Sequence, residues 1–192
     1  MGLLHYSALM SLDGYVVDAD GRFDWAAPDE EVHAFVNEMT RPIGTYLYGR
    51  RMYDVMTFWE TAETDDEPPV FGEWAAMWRA ADKVVFSSTL GPEDLRSART
   101  RLEPRCTADA LRRLKDETPG ALSIGGATVA AEAFAAGLVD DVQLFLAPVV
   151  VGGGTRGMPD GVRLDLELVD ERRFAGGFVT VRYAVGGGGA GL

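Results

Sequence analysis

Ser123–Phe134 reads SIGGATVAAEAF: a short apolar strand, two adjacent glycines, then an alanine-rich helical run. The order strand, glycine, helix recurs in TYLYG (45–49) followed by RRMYDVMTFWE. A strand that feeds directly into a helix favours a parallel neighbour, so these junctions point to α/β layering. One glycine suffices for such a turn. A second marks a place where something approaches the main chain closely, and a helix N-terminus behind it suits an anion.

The remaining segments follow the same alternation. Leu3 to Met10 is expected as a buried first strand, followed by the turn-rich SLDGYVVDADGRFDW. DEEVHAFVNEMT, after Pro28, carries Val32, Phe35, Val36 and Met39 at helical spacing. The acidic ETAETDDEPP (60–69) reads as an exposed loop, and FGEWAAMWRAA as a helix with Trp74, Met77 and Trp78 on its packed side. DKVVFSS is a strand, RLEPRC a short strand, DALRRLKDE a helix and DDVQLFLAPVVVG a long strand. After a glycine-rich loop, LDLELVDERRF and FVTVRYAV form a terminal strand pair. The expectation is one three-layer domain over residues 1–185: a central mixed, mostly parallel sheet, helices on both faces and a C-terminal antiparallel pair. Residues 186–192 are expected as a flexible glycine-rich tail.

Composition narrows the function. A chain of 192 residues with 47% hydrophobic and 25% charged residues is ordinary for a water-soluble domain. Its net charge of −12 opposes nucleic acid and anionic membranes as partners, yet permits an anionic cofactor in a locally basic pocket. The sequence shows neither a bilayer-spanning run nor a secretory signal pattern, and a cytoplasmic location is expected. One cysteine, Cys106, and two histidines leave no disulfide framework and no zinc site, so no metal is expected.

Three junctions would lie at the C-terminal edge of a sheet, where open α/β folds bind ligands: YGRRMYD (48–54), VFSST (85–89) and SIGGATV (123–129). Two offer a glycine followed by helical N–H groups. Arg50 and Arg51 add positive charge, and Ser87 and Ser88 add hydroxyls. Together they suit a dinucleotide, although the GxGxxG fingerprint is absent. Each is also compatible with ordinary turns and solvated arginines.

MSLDG (10–14), YGRRMYD, VFSS, IGG before a helix, GLVDDVQLFLAPVVVGGG (137–154) and the terminal strand pair, in this order, resemble the dihydrofolate reductase-like superfamily. The similarity is greater to stand-alone relatives of the reductase domain of bifunctional riboflavin-biosynthesis deaminase-reductases, and it covers nearly the whole chain. The resemblance implies NADPH as cofactor. Gly49, Arg50, Arg51 and Met52 would face its phosphates, with Arg50 on the 2′-phosphate, and Ser87 and Ser88 would lie near the adenosine. Gly125, Gly126, Ala127, Thr128 and Val129 would cradle the pyrophosphate, the glycine pair joined by a cis peptide. Ala8 would lie beside the nicotinamide. A homodimer is implied as well.

For the proton donor, FDWAAPDEEVHAF (23–35) resembles the segment carrying the acid of dihydrofolate reductases. It aligns Glu30 with that acid, with Asp29 and Glu31 as neighbours in register. Asp13 in SLDG is a second candidate catalytic residue. Both have plain structural readings, as a charge in a first helical turn and as an Asp-Gly turn. Trp25, Tyr53, Met56, Trp59 and Arg156 are candidate substrate contacts, Arg156 for a second phosphate; Phe35 reads as core.

Folate itself fits poorly. Between Met52 and Trp78 there is no Arg or Lys to hold a glutamate tail, and LFLAP lacks the hydroxyl that partners the acid. The deaminase pattern HxE with PCxxC is absent too. The expected activity is therefore NADPH-dependent reduction of a small heterocyclic or carbonyl substrate, of the 5-amino-6-(5-phosphoribosylamino)uracil reductase type. Alternatives are a weak dihydrofolate reductase, a non-catalytic nucleotide- or pterin-binding protein, and a plain scaffold.

Overall fold

Strand β1 (Leu4–Ser11) alternates from Leu4 to Met10: Leu4, Tyr6, Ala8 and Met10 are buried while the residues between them are half-buried. A strand covered on both faces belongs in the middle of a parallel sheet, and that is where it lies. The computed structural model describes residues 2–186, so the expected tail from residue 187 onward lies outside the described residues. After β1 come β2 (Tyr15–Val17), α1 (Glu30–Thr40), β3 (Ile43–Gly49), α2 (Arg50–Met56), α3 (Phe58–Thr61) and α4 (Pro69–Ala80). Next are β4 (Asp82–Phe86), β5 (Thr100–Glu103), α5 (Ala108–Glu117), β6 (Ala121–Gly125) and α6 (Ala127–Ala135). The chain ends with β7 (Asp141–Ala147), β8 (Thr155–Arg156), β9 (Leu166–Arg173) and β10 (Val179–Val185).

Eight strands form one sheet in the order β5-β4-β3-β6-β1-β7-β10-β9. The first six are mutually parallel and β10 pairs antiparallel with both β7 and β9. The α/β class, the mixed and mostly parallel sheet and the terminal antiparallel pair are as expected from the sequence. On one face α5 and α6 bury Leu111, Leu114, Ala130 and Phe134 against Leu4, Tyr6, Leu122 and Ile124. On the other, α4 packs Trp74 and Trp78 against Tyr46, Tyr48 and Val85, and α1 sets Val32 against Phe145 and Phe178. Full burial of side chains of this size stabilises by roughly 1.5–3 kcal/mol each. Phe35 joins this last cluster beside Phe145 and Phe174, in keeping with a core position.

Local differences from the sequence reading have simple causes. The segment after β1 is more than turn, because Tyr15–Val17 pairs with Thr155–Arg156 as a separate two-stranded sheet. The run DDVQLFLAPVVVG stops being strand at Ala147, one residue before Pro148, which has no N–H to continue a ladder. RRMYDVMTFWE is two short helices divided at Thr57, whose hydroxyl donates back to Asp54 O at 2.8 Å.

Candidate functional site

Parallel strands end on one edge, and there the two glycine-initiated turns meet. Register places Tyr48 opposite Gly125 and Gly49 opposite Phe86. Gly49 is the N-cap of α2 and Gly126 the N-cap of α6; neither helix has a side-chain cap. The two turns pack back to back: a Cβ on Gly126 would lie 3.9 Å from Gly49 N and 3.4 Å from Met52 Cβ. Two uncapped helix starts thus converge, and their N–H groups give that edge a positive potential.

The glycine pair also answers to its own neighbours. Gly126 has φ +100°, a conformation that side chains resist, and a Cβ on Gly125 would sit 3.0 Å from Cε1 of the buried Tyr48 ring. The expected cis bond between them is corrected: among the described residues there is no cis peptide. The first glycine makes room for Tyr48, and the second supplies the positive φ. Val129 contributes from α6 by packing near Gly49, where a Cβ would meet its Cγ1 at 3.2 Å.

Arg50, about half exposed, donates from Nη1 to Thr89 Oγ1 at 3.0 Å and lies 3.7 Å from Asp54. Asp54 in turn binds Arg96 at 2.6 Å. The loop after β4 is closed by Ser87, whose Oγ accepts from Thr89 N and Leu90 N, both at 3.2 Å. Arg51, Ser88 and Thr128 are exposed, and Ala127 and Met52 half-buried. The structure therefore brings Gly49, Arg50, Ser87, Gly125 and Gly126 to one edge. Ala8, paired with Leu144, is buried in the middle of β1 rather than at its end. Thr89 was missed in the sequence, although it directly follows the Ser87-Ser88 pair.

A second part of the edge surrounds the ends of β1 and β7, with Ser11 opposite Ala147. Asp13 accepts from Gly152 N at 2.8 Å and Val151 N at 3.2 Å, which ties the loop after β7 to the turn after β1. The hydrogen bond with Ser11, helped by these two amides, holds its carboxyl below the usual carboxylate range against a smaller desolvation effect. Arg156, on β8, lies over the Tyr15 ring at 5.2 Å and near Asp160 at 3.9 Å, and remains half exposed. Trp25 sits in a single helical turn, Asp24–Ala26, donating from Nε1 to Arg22 O at 3.2 Å.

At the start of α1, two of three consecutive carboxylates have structural partners. Asp29 caps the helix by accepting from Val32 N at 2.9 Å. Glu31 accepts from Ala175 N at 3.0 Å and pairs with Arg172 at 3.3 Å. Glu30 is exposed and has no hydrogen bond or ion pair among the described residues.

Two expected substrate contacts are corrected by their burial. Tyr53 is 0% exposed; its hydroxyl accepts from Arg96 N at 2.8 Å and meets Ser97 Oγ at 3.1 Å. Met56 is buried in the same cluster. The α2 helix turns both toward α4 and β4, so they serve the core rather than a cleft. Trp59 is half-buried among His33, Phe71 and Trp74.

Comparison with known proteins agrees with this architecture. Residues 3–180 match the family model described as the RibD C-terminal domain. The uncharacterized protein YyaP of Bacillus subtilis is 27% identical over 177 residues, 91% of this chain and 90% of that one. A putative riboflavin biosynthesis protein from Shewanella superposes with a TM-score of 0.73 at 18% identity, covering 95% of this chain and 98% of the other. Dihydrofolate reductase from Enterococcus faecalis, solved with NADP(H), superposes at 0.64 with 15% identity, covering 97% and 98%. At these identities the two structures speak for the fold.

Proposed function

Because the chain belongs to the RibD C-terminal domain family, we propose that it is an NADPH-dependent reductase of a small heterocyclic or carbonyl compound. The observation that carries this reading is the meeting of two uncapped helix starts at Gly49 and Gly126, with Arg50 held nearby by Thr89. That donor set suits a dinucleotide: backbone N–H groups and dipole ends for the pyrophosphate, a guanidinium for a 2′-phosphate, and the Ser87 and Thr89 hydroxyls beside it. When bound, NADPH supplies the hydride. Arg50 binds and orients the phosphate end, Asp54 and Thr89 restrain its guanidinium, and the first turn of α6 with Ala127 and Thr128 receives the pyrophosphate.

Reduction also needs a proton at the acceptor atom or a solvent path to it. Glu30 is the carboxylate of its trio without a structural partner, which supports it as the proton source. The multiple bonds accepted by Asp13 favour positioning the loop after β7 over donating a proton. Arg156 on β8 is suited to a substrate phosphate, which supports the aminopyrimidine reductase reading, and Trp25 to an aromatic substrate face. The exposed apolar residues Leu166, Leu168 and Val179 on the terminal hairpin are the surface we assign to a homodimer. Among the described residues no helix is long and apolar enough to cross a membrane, which is compatible with a cytoplasmic enzyme.

The test is titration with NADPH and NADH, read by quenching of tryptophan emission, for the wild type and Arg50→Ala. Micromolar binding selective for NADPH, with selectivity lost in Arg50→Ala, is expected. Equal affinity for both nucleotides in the wild type would overturn the role of Arg50. No binding of either would overturn the reductase reading.

A further inference from the structure

At the opposite edge of the sheet, where the parallel strands begin, the face beneath α1 changes character. Along β1 it runs His5, Ser7, Leu9; along β7, Asp141, Gln143, Phe145; along β10, from the far end, Arg182 and Thr180, with Phe178 just before the strand. The inner members of each row pack in the α1 core, whereas the outer ones are polar under a helix that would ordinarily be met by apolar side chains. They are neighbours across strands: His5 is opposite both Ser123 and Asp141, Ser7 is opposite Gln143, and Gln143 is opposite Arg182. These six side chains floor a cavity of about 280 Å³ whose apolar wall includes Met39, Pro42 and Ile43.

The hydrogen bonds of the floor show what is left over. Each Asp141 carboxylate oxygen has a partner, His5 Nδ1 at 3.2 Å and Arg182 Nε at 2.8 Å. Thr180 donates its one hydroxyl hydrogen to Leu144 O at 2.9 Å, so toward Gln143 it acts only as an acceptor. That fixes the Gln143 amide: Nε2 faces Thr180, and Oε1 is the remaining acceptor. Gln143 is only 2% exposed, and its Oε1 is buried with no hydrogen-bond partner. A buried acceptor left in this state keeps its desolvation penalty without a compensating bond. On the donor side, the Arg182 Nη atoms and the Ser7 and Ser123 hydroxyls make no hydrogen bonds among the described residues. Asp141 and Arg182 offset each other's charge, so the floor offers the Gln143 acceptor, the Arg182 donors and serine hydroxyls that can donate or accept, with no net charge of that pair to balance.

We propose that this cavity binds a small uncharged cyclic amide, with its N–H directed to Gln143 Oε1, its carbonyl to the Arg182 and serine donors, and its apolar body against Met39 and Ile43. The site is separate from the proposed cofactor edge, and its occupation does not depend on reductase activity.

Amide NMR of the full chain, titrated with 2-pyridone, tests the assignment, with N-methyl-2-pyridone and benzoate as comparators. A saturable response centred on His5, Ser7, Ser123 and Gln143, with a dissociation constant of about 1 mM, is expected for so small a probe. N-methyl-2-pyridone, which lacks the N–H, is expected to bind about tenfold more weakly. Gln143→Met is expected to weaken 2-pyridone by a similar factor, and Ala121→Phe to abolish binding by filling the cavity. Should Ala121→Phe lose its dispersed spectrum, Gln143→Met with the N-methyl comparator decides. Absence of a saturable response, equal binding of the N-methyl compound, preference for benzoate, or shifts centred on Gly49 and Gly126 would each overturn the proposal.

Discussion

Gly125→Ala isolates the packing beneath the glycine pair. The backbone of Gly125 is not in the positive-φ region, so alanine meets no intrinsic strain there. The new methyl would meet Tyr48 Cε1 at 3.0 Å and Cδ1 at 3.1 Å, with Met52 Cγ at 3.5 Å. The ring has nowhere easy to go. Tyr48 is 3% exposed, stacks on Tyr46 at 5.6 Å, and accepts a hydrogen bond from Trp78 Nε1 at 3.2 Å. Overpacking of this kind costs about 1–3 kcal/mol, offset by about 0.4–1 kcal/mol from the stiffer unfolded chain. A net loss of about 1–2 kcal/mol follows, or roughly 2–8 °C in Tm for a domain of this size. Urea unfolding followed by tryptophan emission would read it as a lower midpoint at unchanged m-value. The decisive control is the same substitution in a Tyr48→Leu background. If the ring is the obstacle, the cost of the added methyl falls nearly to zero there, giving a coupling of about 1–2 kcal/mol. Gly126→Ala, whose cost comes from φ, should show no such relief. A Gly125→Ala protein as stable as the wild type, or equal costs in both backgrounds, would refute the reasoning.

His33 is buried among Trp59, Phe71 and Trp74 with Nδ1 unpartnered, and burial holds its pKa below the ordinary 6.5. Because the folded value lies below the unfolded one, its contribution is complete above pH 6.5 and is lost as pH falls through that value toward the folded one. The slope is at most about 1.4 kcal/mol per pH unit. His33→Phe should flatten the stability profile between about pH 7 and pH 5 relative to the wild type; parallel profiles would exclude the effect. Burial, with a smaller contribution from the Glu132 charge, pushes the Cys106 thiol up to about 12. Iodoacetamide at mildly alkaline pH should therefore label unfolded protein readily and native protein slowly, and equal rates would contradict this. Asp13→Ala releases the amides of Val151 and Gly152, so limited proteolysis should cut the loop after β7 faster than in the wild type, and an unchanged rate would argue against the tie.

Much of this fold was legible because its parallel strands and helices alternate in clear blocks. LHYSALMS and the glycine-to-helix junctions state their roles locally. What stayed hidden depends on partners distant in sequence. Tyr15–Val17 and Thr155–Arg156 are too short to announce a ladder before they meet. Tyr53 follows the glycine turn and so suggests a cleft, but the helix rotates it toward Arg96 and Ser97, more than forty residues away. The glycine pair was visible as a demand for space, whereas its occupant, Tyr48, is set by the register of β3 against β6. Glu30 differs from Asp29 and Glu31 only through the partners those two find, and one of them lies on the far hairpin.

The place of β1 at the centre of the sheet has a consequence for synthesis. Its two neighbours are β6 and β7, with Leu4 opposite Leu122 and His5 opposite Asp141. The amide of Leu4 is bound by Asp140, 136 residues later. As the chain leaves the ribosome, β1 must therefore wait for β6 and β7 before either of its edges is covered. β7 waits longer still, for β10. With contacts of such separation, ordering is slow relative to helical proteins of similar size, and the alternating apolar side of β1 is open to wrong pairing throughout that delay. Substitutions that leave the finished protein unchanged in stability can still lower its yield if they make this waiting strand stickier.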